Sequence, residues 1–131
     1  MSERRRLAVA GEAGIETVEA TVSTEPPWTL TLTFPDGRVT TAQAPDLFSA
    51  LEAVRLELEG GGLLACCQGA RPDVFPSGMS RQMAGGRRAY RLRAGRRATE
   101  EDLVDILDPA GCDDVVAVQE QHDAVQRFHA G

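Results

Sequence analysis

The 131-residue chain has no lysine; all fourteen of its basic residues are arginine. That absence excludes Schiff-base chemistry, a Walker-type phosphate lysine and a Ser-Lys dyad. Aromatic residues are scarce at 5%, with one tryptophan, Trp28, and one tyrosine, Tyr90. The core must therefore come from Leu, Val, Ala and a few Phe. The only histidines are His122 and His129. They stand seven apart, not at the i, i+4 spacing of a helical zinc pair. No C-x-x-C, G-x-G-x-x-G or G-x-S-x-G string occurs, nor a D-x-D-x-D-G calcium loop. No catalytic residue, metal or cofactor is assigned on these grounds.

Long apolar runs are also missing. None approaches the roughly 20 residues that a membrane-spanning helix needs. The start, MSERRR followed by LAVAGEAG, imitates a signal peptide, but its apolar stretch is short and Glu12 interrupts it. Cys66 and Cys67 are adjacent in an apolar run, and Cys112 stands alone. Neighbouring extended residues point to opposite faces, so Cys66 and Cys67 are poorly placed to bond each other. The expectation is a soluble cytoplasmic protein with reduced cysteines and no membrane association.

What the chain does contain is an uneven charge. Its net charge is -6 and its sequence pI about 4.9, which argues against duplex nucleic acid as a partner. Residues 1–64 carry -5, residues 65–97 carry +7, and residues 98–131 carry -8. A basic block is set between two acidic ones. It either pairs with its neighbours at the surface or presents a patch to an anionic partner. All-arginine usage with abundant Ala and Gly is also the mark of GC-rich coding.

The organisation reads as a flexible tail over 1–14 followed by a single α+β domain over 15–131. The alternation Val18, Ala20, Val22 gives one strand, and Trp28, Leu30, Leu32, Phe34 against Thr29, Thr31, Thr33 gives the clearest one. Pro35-Asp36-Gly37 is a hairpin turn, with a partner strand over 38–41. If Phe34 pairs with Arg38, Val39 falls on the threonine face. Asp46 caps a helix whose stripe is Leu47, Leu51, Val54 and Leu58, ended by Gly60-Gly61-Gly62. Glu52/Arg55 and Arg55/Glu59 sit at exposed ion-pair spacings on it. Residues 63–67 read as a buried strand, 68–86 as a long loop and 87–93 as an alternating strand. The stretch 99–108 is open between helix and strand, and a last helix covers 118–129. The predicted fold is a mostly antiparallel sheet of four or five strands with two main helices packed on one face.

The most distinctive string is GARPDVFPSGMSRQMAGGRRAYRL, residues 69–92. Its core, Gly69-Ala70-Arg71, Asp73, Pro76-Ser77-Gly78-Met79-Ser80-Arg81, Gly85-Gly86 and Ala89-Tyr90, resembles a segment of a family of short, standalone, mostly uncharacterised bacterial proteins. The DLVDIL (102–107) and VQEQ (118–121) strings add to it. The resemblance implies no activity. Physically, Arg71 and Asp73 flank Pro72 and point the same way in extended backbone, and Ser77 can bond its local backbone. The segment is either a rigid loop held by Arg71, Asp73 and Ser77 or a recognition loop beside a basic strand. The candidate binding residues are Arg71, Asp73, Ser77, Arg81, Arg87, Tyr90 and Arg91. Two functions remain open. One is a non-enzymatic protein-interaction module, immunity- or antitoxin-like. The other is a domain or enzyme for a small anionic ligand sited on 69–92. The oligomeric state is open too.

Overall fold

A computed structural model describes residues 1–130. Its fold is mixed α/β, built on a five-stranded antiparallel sheet. The strands are β1 (Ser2–Gly11), β2 (Gly14–Ser23), β3 (Trp28–Thr33), β4 (Val39–Ala44) and β5 (Leu64–Cys66), in the order β4-β3-β2-β1-β5. Strand alternation sorts the side chains. Leu7, Val9, Val18, Ala20, Val22, Leu30 and Leu32 are buried on one face. Arg4, Arg6, Glu19, Thr21, Thr31, Thr33 and Thr41 share the other, where Thr31 and Thr41 hydroxyls bond across β3 and β4 at 2.8 Å. Phe34 does accept the turn with Arg38, its amide donating to the Arg38 carbonyl at 2.8 Å. Val39 then lies opposite Thr33 on the threonine face, and stays exposed.

Helix α1 (Leu47–Gly60) covers the apolar face. Asp46 caps it, Oδ1 accepting from the Ser49 amide at 2.8 Å, and Leu47, Phe48, Ala50, Leu51, Val54 and Leu58 are buried. After β5 the chain builds a second, three-stranded sheet from β6 (Val74–Phe75), β7 (Arg88–Arg91) and β8 (Leu103–Asp105), with β7 in the middle. The short helix α2 (Gly78–Gln82) bridges β6 to β7, and α3 (Val118–Ala130) ends the chain. Val74, Ala89, Ile106 and Leu107 join the residues under the first sheet in one apolar cluster.

Three expectations change. Residues 1–14 are not a tail: Ser2–Gly11 is an inner strand, paired along its whole length with β2 and over Ala8–Ala10 with β5. Residues 68–86 are not a structureless loop but a 3₁₀ turn (Gln68–Ala70), β6, α2 and a second tight turn (Met83–Gly86). The 99–108 stretch takes both forms, a 3₁₀ turn at Glu100–Asp102 and then β8. No helix is long and apolar enough to cross a membrane among the described residues.

Candidate functional site

The candidate residues occupy the second sheet and its connections. Pro72 keeps the chain extended between Arg71 and Asp73, and the two side chains pair bidentately. Arg71 Nε and Nη2 donate to the Asp73 carboxylate at 2.8 and 3.0 Å. Arg91, on β7 beside β6, adds a third donor to Asp73 at 3.2 Å. Asp114 approaches Arg71 from the other side at 3.7 Å. Burial alone would raise the Asp73 pKa, but the Arg71 and Arg91 hydrogen bonds outweigh it and hold the carboxyl below its ordinary range.

Ser77 and Ser80 cap α2 reciprocally. Ser80 N donates to Ser77 Oγ at 3.0 Å, and Ser77 N to Ser80 Oγ at 2.8 Å. From α2, Arg81 reaches back to the start of α1. Its Nη1 lies 3.1 Å from Ser49 Oγ and 3.4 Å from Asp46 Oδ1, and its guanidinium stands over the Phe48 and Phe75 rings.

The turn after α2 is fixed by close approach. A Cβ at Gly85 would fall 2.4 Å from the Trp28 ring, and its φ of 68° is itself in the left-handed region. Ala84 shares that region at φ 49°. Gly85 is therefore the surface on which the Trp28 ring rests, while Gly86 packs close to Asp46.

Arg87 joins the two sheets. Its Nε donates to Asp105 of β8 at 2.9 Å, and its terminal nitrogens clasp Glu3 of β1 at 2.8 and 3.1 Å. Arg5, two residues along β1 on the same face, donates to Asp105 at 3.0 Å and Asp108 at 2.8 Å. The hydrogen bond with Arg87 lowers the Glu3 pKa, and the same bond raises that of Arg87. Arg93 and Arg96 both meet Asp102. Among the described residues, Arg88 and Arg97 are the two arginines of the 65–97 block with no acid within ion-pair reach. The structure thus brings the candidates into three separate internal networks rather than around one cavity. Tyr90 stands apart, half-buried beside Leu103.

The polar centre of the region was not singled out from the sequence. Arg55 of α1 is 2% exposed, and Gln121 of α3 is fully buried. Arg55 Nη1 donates to Gln121 Oε1 at 2.6 Å and to the Gly69 carbonyl at 3.2 Å, and Nη2 donates to the Val116 carbonyl at 2.8 Å. The Gln121 amide nitrogen lies 2.8–2.9 Å from the carbonyls of Gly69, Arg71 and Val74. The expected Glu52/Arg55 and Arg55/Glu59 pairs do not form. Glu52 bonds His122 of α3, and Glu59 accepts from the Val118 amide. Arg55 has no carboxylate partner, and burial lowers its pKa. One signal was legible: Arg55 is four residues after Leu51 and three before Leu58, hence on the apolar stripe itself.

The cysteines also depart from expectation. Cys66 and Cys112 form a disulfide with a Cα–Cα distance of 4.8 Å, and Cys67 alone is free, fully buried, its thiol pushed up to about 11 by burial.

The concave features are shallow. The most apolar is a cleft of about 160 Å³ lined by Ser80, Met83, Ala84, Arg88, Tyr90 and Leu103. Met83 in its lining is 56% exposed, and Met79, four residues earlier on α2, is 72% exposed. No group of His, Cys, Asp and Glu side chains among the described residues is arranged to hold a metal ion. No protein-family model matches the chain, and no curated protein is similar to it in sequence.

Proposed function

We propose that the protein is a non-enzymatic protein-interaction module that works in the cytoplasm, immunity- or antitoxin-like. Its contact face is formed by α2 and the outer side of β7–β8. The observation that carries this is the exposed Met83, which lines the apolar cleft with Tyr90 and Leu103, together with the exposed Met79 four residues before it on α2. Methionine is flexible and polarisable, and it recurs on surfaces that accept a partner's side chains. A cleft of about 160 Å³ suits one inserted side chain better than a small-molecule ligand, whose sites run from roughly 300 Å³ upward. Arg88 at the lip, free of internal carboxylates, offers a partner's acid one charge-assisted hydrogen bond.

The anionic-ligand alternative has less support. A phosphate or carboxylate at Arg71, Arg87 or Arg91 would have to displace Asp73, Glu3 or Asp105 from bonds of 2.8–3.2 Å, and at Arg81 it would compete with Ser49 at 3.1 Å and Asp46 at 3.4 Å. The test is affinity capture from source cells with the tagged chain and with Met79→Glu/Met83→Glu. The expected result is a specific protein retained by the first and lost by the second. Identical retention by both chains would contradict the assigned face, and no specific retention by either would contradict the interaction role.

A further inference from the structure

We propose that Cys66 and Cys112 are a reversible thiol–disulfide latch, opened by a low-molecular-weight thiol. In this reading the latch sets how firmly the 109–117 segment is held on the edge of the first sheet. Cys66 closes β5, the edge strand next to β1, and Cys112 lies on the segment that runs from β8 to α3. Their Cα atoms are 4.8 Å apart, inside the range that a disulfide spans without backbone movement.

Around the pair, the segment's backbone makes isolated bonds, not a continuous ladder, and its far end is anchored by buried Val115 and by Arg55 Nη2 on the Val116 carbonyl at 2.8 Å. Ala110 N donates to the Cys66 carbonyl at 3.2 Å, and Val116 N to the Ala70 carbonyl at 3.0 Å, while Cys67 and Pro109 form a lone bridge. Such amides open locally at low cost, and a crosslink in their midst governs how often they do.

The rest of the fold does not depend on the bond. One apolar cluster runs from Leu7 to Val115 through both sheets and α1, and a chain of this size buries enough surface to fold without a staple. Access is one-sided: Cys66 is buried and Cys112 half-buried. A glutathione thiolate therefore attacks Cys112 Sγ. The Cys66–Cys112 bond breaks, Cys66 leaves as a thiolate and takes a proton, and a Cys112–glutathione disulfide forms. A second glutathione thiolate attacks the glutathione sulfur of that disulfide. It releases glutathione disulfide, and the Cys112 thiolate takes a proton. Two glutathiones are oxidised and one protein disulfide is reduced; glutathione disulfide drives the reverse. Cys67 is too deep to intervene. In a reducing compartment a disulfide that persists by turns is a sensor, not a fixture.

The full chain is equilibrated in glutathione buffers of graded ratio. Free thiols are alkylated and counted by mass spectrometry, and amide hydrogen exchange is followed on both forms and on Cys112→Ser. Under glutathione disulfide the bond should close and leave one thiol, Cys67, labelled only after denaturation. Under millimolar glutathione it should open with the circular dichroism unchanged. Exchange at the Ala110 amide, which donates to Cys66 itself, should then speed on the order of tenfold or more. Cys112→Ser should show the fast exchange in every buffer. Three free thiols under excess glutathione disulfide would overturn the proposal. So would a bond that survives millimolar glutathione, equal exchange in both forms, or unfolding on reduction. None of these readouts involves the α2 face, so the latch and the interaction role stand or fall separately.

Discussion

In the first sheet with α1, long strands alternate cleanly and the inner face is Leu, Val, Ala and Phe. Of the arginines there, Arg4, Arg6 and Arg38 sit outside, while Arg5 and the buried Arg55 turn toward the second region. In the region from Gln68 to Val116, strands are two to four residues long, and arginine does the joining. Arg71 and Arg91 share Asp73, Arg87 ties β7 to β1 and β8, and Arg55 with Gln121 gathers four carbonyls of the connecting chain. Hydrophobic burial holds the first region, because ten-residue strands can align a continuous apolar face. Short strands cannot, so their backbone groups and charges must be satisfied one by one. The same residue type is decoration on the outer face of the first sheet and framework wherever it meets the second region.

The largest test of that contrast is Gln121→Ala. It leaves the carbonyls of Gly69, Arg71 and Val74 and the Arg55 cation short of partners. Denaturant melts should show a loss of about 3–5 kcal/mol, with exchange rising first over 68–76. Gly85→Ala comes next. A Cβ lodged 2.4 Å from Trp28 at positive φ should cost about 2–3 kcal/mol. Trp28 fluorescence should shift with it, which reads out where the second region leans on the first.

Acid sharpens the comparison without mutation. The Glu3 and Asp73 pKa values are lowered in the fold. Their ion pairs therefore contribute stability above the ordinary values of 4.5 and 3.8, and that contribution is lost as pH falls through the depressed folded values. Hydrogen exchange below pH 4.5 should loosen β6–β8 while β1–β4 stay protected; uniform loosening would remove the distinction. Smallest is a matched pair of substitutions. Arg71→Gln should cost about 1 kcal/mol, whereas Arg38→Gln, on an exposed hairpin pair with Asp36, should leave the melting curve unchanged.

Elements whose pattern is local were legible in the sequence. The Trp28–Phe34 alternation, the Asp46 cap with the Leu47–Leu58 stripe, and the last helix starting at Val118 all stand where periodicity puts them. β1 was not legible, because Glu3 and Arg5 occupy inward positions where an apolar residue was sought. Their partners, Arg87, Asp105 and Asp108, lie 84 to 103 residues away. The same distance hides the Arg55–Gln121 hub and the Cys66–Cys112 pairing. Arg71 with Asp73, two residues apart, was the one candidate pair that spacing could foresee. Whether the basic block was paired or free stayed open in the sequence because, Asp73 apart, its neutralising acids Glu3, Asp46, Asp102 and Asp105 lie outside it.

The most direct test of internal neutralisation is nuclear magnetic resonance of the arginine Nε–H groups during titration with inorganic phosphate. The Nε protons of Arg71, Arg87 and Arg91 face carboxylates. Their signals should be resolved, slow to exchange and unmoved by millimolar phosphate, while those of Arg4 and Arg6 exchange fast. Phosphate-induced shifts at Arg71, Arg87 and Arg91, with their carboxylate partners released, would contradict it and make the block an anion site.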